Sequence, residues 1–286
     1  MRTRAALAVA GALLVLAGCA QPGGTGGSGS TGSTGAEATA PELPTDGDAL
    51  VLRVTQDGGF TPAGADIALL PLVSVYRDGR VLSNGPVVAI HPAPAWPDVQ
   101  VNRVDEATLT ELVQAAQDAG VTDTADLGDP SIADARTTTV TLGTAEGTTD
   151  RTVYALTEAI GDPALSAEQT AARERLADLV ERLTDLTATE ALGPWTPTAV
   201  AALTGPYSPD PSIAREPVAW PGPALPGEDL GVGVGCTVAT GEQAAAVVAA
   251  AQGADALTPW TDGTSTWAIT FRPLLPDETG CADLTA

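Results

Sequence analysis

The chain has no lysine, a single histidine, three cysteines, and aromatic residues at only 3% of its 286 positions. Each scarcity removes a class of chemistry. Without lysine no Walker-type loop can reach a nucleotide's phosphates, and "GVGVG" at 231–235 lacks the strand-to-helix setting and acidic partner of a dinucleotide fingerprint, so it reads as a turn. One imidazole is too few for the usual histidine zinc sites, and any Ser-His-Asp or Cys-His device would have to use His91, which sits in "AIHPAP" with no G-x-S-x-G serine to serve. The 13 basic residues, all arginine, face 36 acidic ones for a net charge of −23. A polyanion would be repelled, and no basic stripe exists to displace counterions, so nucleic acid is excluded as a partner. No apolar run reaches the roughly 20 residues that span a bilayer as a helix.

What is present begins at the amino terminus. Arg2 and Arg4 precede Ala5 to Ala17, a short apolar run that suits an export signal, and Leu16-Ala17-Gly18-Cys19 closes it. That tetrapeptide resembles the lipobox of bacterial lipoproteins. The resemblance implies cleavage after residue 18, a diacylglyceryl group on the Cys19 thiol, and attachment to the outer face of the cell membrane. An ordinary export signal with a chance cysteine is the alternative. Residues 19–44 are then a lipidated linker rich in Gly, Ser, Thr, Ala and Pro, too polar and flexible to build a core. Cys236 and Cys281, 45 residues apart, are expected to bridge in an exported chain, because they lack the C-x-x-C spacing of redox or metal sites.

The remaining length divides by pattern. "DALVLRVT" and "DVQVNRV" read as strands, and "LVSVYRDGRVLSNGPVVAI" as a hairpin with a two-residue turn at Asp78-Gly79. "ARTTTVTLG" and "TDRTVYALT" make a second hairpin around "TAEG". Leu109, Leu112, Val113 and Ala116 share a helical face behind an Asp105 cap and ahead of Gly120. Leu176, Leu179, Val180, Leu183 and Leu186 do so behind a Ser166/Gln169 capping box. The expectation is an α+β fold: an antiparallel sheet of hairpins with packed helices over 45–190, followed by a smaller disulfide-stapled β-α-β segment over 231–286. That segment holds "GCTVAT", a helix capped by Thr240/Gln243, and "STWAITFRPL" with Trp267, Ile269 and Phe271 on one face. Nine prolines between Ala191 and Leu230 predict that 191–230 is a connector unable to join the middle of a sheet.

"LVSVYRDGRVL", "VDEATLTELVQAAQDAG", "ADARTTTVTL" and "TVYAL" together resemble a domain of unknown function found in bacterial envelope lipoproteins. The ending "CTVATG…ALTPW…FRPLLPDE…C" is similar to that of actinobacterial lipoproteins of this length. The absence of lysine beside abundant Ala, Gly and Arg fits a GC-rich genome of that kind. The resemblance brings no catalytic residue and no cofactor.

Two groups of residues are candidates for binding. Trp96, Trp195, Trp220 and Trp260 stand beside or near prolines and would form a ligand surface if exposed, or plugs against the sheet if buried. Asp123, Asp126, Asp129 and Asp134 offer hard oxygen ligands for calcium without the order of an EF-hand loop, and solvated surface is the alternative. No other metal or cofactor is expected. The combination predicts a non-catalytic, membrane-anchored envelope lipoprotein that binds another envelope protein or a cell-wall component. Its rivals are a carboxylate-dependent hydrolase of wall glycan or peptide, which needs two paired carboxyl groups, and an inhibitor or ligand-binding module.

Overall fold

The computed structural model describes residues 41–62, 64–187, 193–211 and 215–285. Cys19 and the linker up to residue 40 lie outside them, and among the described residues no helix is long and apolar enough to cross a membrane. The fold is α+β, with two sheets and three α-helices among the described residues.

The first sheet contains β1 (Leu50–Gly58), β2 (Val73–Tyr76), β3 (Arg80–Asn84), β4 (Val99–Arg103), β5 (Arg136–Thr144), β6 (Gly147–Tyr154) and β7 (Gly193–Pro194). Their order is β6-β5-β1-β2-β3-β4-β7, with every neighbouring pair antiparallel. Alternation decides the faces. Val73 and Val75 of β2 point one way, Ser74 and Tyr76 the other. In β1 the register shifts between Leu50, opposite Tyr76, and Leu52, opposite Val75, so a bulge lets Leu50 join Tyr76 while Val51, Leu52 and Val54 all enter the opposite core.

That core lies under two helices, α1 (Glu106–Asp118) and α2 (Ala167–Asp185). Leu109, Leu112, Val113 and Ala116 of α1 and Leu176, Leu179 and Leu183 of α2 bury against the valines and leucines of the sheet. The Asp105 carboxylate accepts from the Thr108 amide at 2.8 Å, and Gly120 takes φ 83° just beyond the helix end. At α2 the Gln169 amide donates to Ser166 Oγ at 3.2 Å and the Ser166 amide to Gln169 Oε1 at 2.9 Å, the reciprocal box expected.

The turn between β2 and β3 is one residue longer than a two-residue hairpin. Val75 pairs with Val81, leaving Arg77, Asp78 and Gly79 as the loop, with Gly79 at φ 85° and its amide donating to Tyr76 O at 2.9 Å. The described chain starts beside this turn: Arg77 Nε donates to Pro44 O at 3.0 Å and the Asp78 amide to Gly47 O at 3.1 Å. Strand β3 stops at Asn84, short of the expected run to Ile90, because Pro86 has no amide to continue a ladder.

The second sheet contains β8 (Ala199–Pro206), β9 (Val218–Ala219), β10 (Glu228–Asp229), β11 (Gly235–Thr240), β12 (Trp260–Thr261) and β13 (Thr266–Pro273), in the order β10-β11-β8-β13-β12-β9. The expectation that 191–230 stays out of a sheet's interior is overturned. Strand β8 pairs with β11 on one side and β13 on the other, because the run Thr198–Gly205 between Pro197 and Pro206 contains no proline. The C-terminal β-α-β unit is therefore split: β11 and β13 run parallel to each other with β8 between them. Helix α3 (Gly241–Gln252) covers one face through Ala244, Val247 and Ala251. Thr240 stands at its N-cap without a side-chain bond, contrary to the expected Thr240/Gln243 pair, since Gly241 begins the helix at φ 57°. The Cys236–Cys281 disulfide forms as expected, joining β11 to a 3-10 turn at Cys281–Leu284.

The segment after β13 returns to the first sheet. Leu275 packs on the face opposite the helices with Leu50, Tyr76, Leu82 and Val99. Arg53 Nη2 and the Tyr76 hydroxyl both donate to Asp277 Oδ1, at 2.7 and 3.0 Å. Deeper still, Arg272 Nη2 donates to Glu278 Oε1 at 2.8 Å, with the two side chains 3% and 7% exposed, while Glu278 Oε2 accepts from the Leu275 amide at 2.7 Å. Burial pushes the Tyr76 hydroxyl far above its ordinary value, so it remains a donor. Burial pulls the Arg272 guanidinium down against the opposing pull of Glu278.

Candidate functional site

The connection from β3 to β4, residues 85–98, shapes one wall of a wide cleft. The Gly85 amide donates to Asp98 O at 2.7 Å, and the Asp98 carboxylate lies across Gly85 so closely that a Cβ there would sit 2.3 Å from Oδ2. Farther along, the Ala95 amide donates to Ala254 O at 3.2 Å and the Ala256 amide to Ala93 O at 2.8 Å, tying the connection to the end of α3. Between these ties runs an exposed strap, with Val87 90%, Val88 58% and Ile90 57% exposed.

The cleft has a volume of about 600 Å³. One wall is the strap, through Pro86, Val87 and Val88; the other is α3, through Val248 and Gln252; Trp96 and Trp195 lie between them. A second hollow of about 480 Å³ shares Pro197, Val248 and Gln252 with it and continues along α3 past Ala245, which makes one groove. Five prolines, at 86, 94, 97, 194 and 197, line the cleft and fix its backbone. It is apolar, preformed and within the size range of small-ligand sites.

The four tryptophans separate into two pairs. Trp96 is half-buried with its ring 6.3 Å from Phe271, and Trp195 is half-buried against the free face of the first sheet, its amide donating to Val99 O at 2.7 Å. Both present surface to the cleft. Trp260 is fully buried, edge-on to Trp220 at 5.9 Å and to Phe271 at 5.5 Å, and Trp220 Nε1 donates to Pro223 O at 2.6 Å. Trp260 belongs to the core of the second sheet, where aromatic area has most to gain from burial, and the half-buried Trp220 packs on it; neither lines the cleft.

The acidic loop does not assemble a cation site. Among the described residues no group of three or more His, Cys, Asp or Glu side chains is gathered closely enough to hold a metal ion. Asp126 is spent locally, accepting from the Gly128 amide at 2.9 Å and from Gln169 Nε2 at 3.0 Å. The loop is organised by Arg173, which is 3% exposed and donates to Leu127 O, Tyr154 O, Gly128 O and Ala155 O at 2.7 to 3.2 Å. Burial lowers its guanidinium's pKa, and the fields of Asp162, Asp126 and Asp129 oppose that shift, so part of the loop's negative charge balances a buried cation.

Among the described residues no acid/base pair converges on the cleft. Asp98 is the one carboxylate of the described lining, and its Oδ1 accepts from Gln100 Nε2. The carboxyls held below their ordinary range are caps elsewhere: Asp105 by the Thr108 amide, Asp262 by the Ser265 and Thr264 amides and Trp267, and Asp283 by Thr279 and Gly280. His91 is exposed and makes no hydrogen bond to any described residue.

The strap, Asp98 and Val248 were not singled out from sequence. A signal was there in "GPVVAIHPAPAWP", an aliphatic run enclosed by prolines, which cannot pair as a strand and so leaves its side chains unburied. Comparison with protein-family models, with curated proteins and with solved structures finds no match.

Proposed function

We propose that this chain is an envelope lipoprotein, acylated at Cys19 and held at the outer face of the cell membrane, whose folded body is a non-catalytic binding module. The lipobox resemblance, the export signal and the disulfide support the address. One observation carries the activity: the apolar cleft framed by Val87, Val88, Trp96, Trp195 and Val248, whose lining among the described residues has a single carboxylate. A cleft of that kind binds, whereas glycan cleavage needs two carboxyl groups facing each other. The ligand is a component of the envelope, protein or wall.

A photo-cross-linking residue at position 88 of the tethered protein in living cells tests the reading. The expected product is a covalent adduct that disappears in the Trp195→Ala background and is absent when the same group sits at exposed Ile160. Equal yields from positions 88 and 160 would sink it. Replacing Cys19 by alanine is expected to abolish lipid labelling and release the protein from the membrane fraction.

A further inference from the structure

The strap beside the cleft is unusual in its backbone as well as its side chains. Residues Val87–His91 lie between Pro86 and Pro92, and within them the Ile90 amide donates to Val88 O at 2.9 Å. The other amides and carbonyls of this stretch have no partner among the described residues. Water satisfies them while the strap is exposed. An occupant that dries the cleft must replace that water or leave the groups unpaired.

This requirement separates the occupants. An acyl chain against the strap would gain apolar contact but strip the amides and carbonyls without replacing their bonds. An extended peptide satisfies them with its own backbone and lowers every second side chain into the groove over Trp96 and Trp195. Charge sharpens the choice. Among the described residues no basic side chain lines the cleft or the adjoining hollow and Asp98 at the rim has no cationic partner, and the whole chain is strongly acidic.

Resting on the reading of the cleft as the binding site, we infer that its occupant is an extended segment of a partner protein. That segment bonds through its backbone to free amides and carbonyls of the turned stretch Val87–His91, places aliphatic or proline side chains over Trp96 and Trp195, and carries a lysine or arginine opposite Asp98.

A displayed library of random peptides of about eight residues, panned on the full-length chain in phosphatidylcholine vesicles, provides the probe. Selected sequences are expected to carry a basic residue close to aliphatic or proline positions, and to slow amide exchange at Val87–His91. Alternate-position N-methylation, which deletes the pairing amides, is expected to weaken a selected peptide about tenfold or more, and Asp98→Asn to weaken it about fivefold without altering the protein's melting. Selection without basic bias, or indifference to N-methylation, overturns the inference. Palmitate that shifts the emission of Trp195 and protects the cleft, with no peptide selected, overturns the inference and leaves the cleft as a binding site. Failure of both probes to change that emission removes both readings.

Discussion

Two glycines show how a single position is constrained by what stands opposite it. At Gly79 the backbone is left-handed and an added Cβ would meet the Val104 carbonyl oxygen at 2.3 Å, a rigid obstacle. Gly79→Ala is expected to cost about 3 kcal/mol in denaturant unfolding, from strain and clash together. At Gly85 the obstacle at the same distance is the end of the Asp98 side chain, which can swing away, and the cost should stay below about 1 kcal/mol. Equal losses in the two variants would mean that the Asp98 side chain is held in place and does not move aside. Arg173 makes a different case. Replacing it by methionine leaves four carbonyls without their donor, and a loss of about 3 kcal/mol is expected, with lysine restoring little because one ammonium cannot reach all four.

The helices differ in how their starts are secured, and the differences are measurable. Ser166→Ala removes the hydroxyl half of a capping box, leaving the backbone amide still bonded to Gln169, and should destabilise by about 1 kcal/mol, whereas Thr240→Ala at the start of α3 removes no side-chain bond and should change stability by less than about 0.5 kcal/mol. The start of α1 adds a pH dependence. The Asp105 carboxyl is held below its ordinary value by the Thr108 amide, so its contribution is present above the unfolded value near 3.9 and fades as pH falls through the lower folded value. Melting followed between about pH 5 and pH 2 should therefore show a smaller drop for Asp105→Asn, which caps without titrating, than for the native chain. These helices were legible in the sequence because cap and stripe are local, within four residues of each other. Strand β8 was not, since averaging proline over a forty-residue stretch hides a proline-free run of eight, and its two partners lie far along the chain. The cleft was half legible: the four tryptophans look alike in sequence, and only the packing of the distant second sheet decides that Trp260 is buried while Trp96 and Trp195 line the cleft.

At the scale of the molecule, the C-terminal segment keeps both sheets together. The free face of the first sheet is covered by Leu275, and Arg53 and Tyr76 are tied to Asp277, so residues 45–190 made alone would expose Tyr76 and Leu82 and are expected to aggregate. Replacing Cys236 and Cys281 by serine opens a loop of 45 residues and should lower stability by about 4 kcal/mol under calorimetry, with both sheets melting in one transition. Separate transitions for the two sheets would show that the ties through Leu275 and Asp277 are too weak to couple them.

The two ends of strand β3 stand at separate places in the fold. Arg80 is beside the turn that receives residues 44–47, and Asn84 is at the edge of the cleft. One five-residue strand therefore sets the distance between the turn against which residues 44–47 pack and the mouth of the hollow, so a lengthening of that strand would move the two apart without reshaping either.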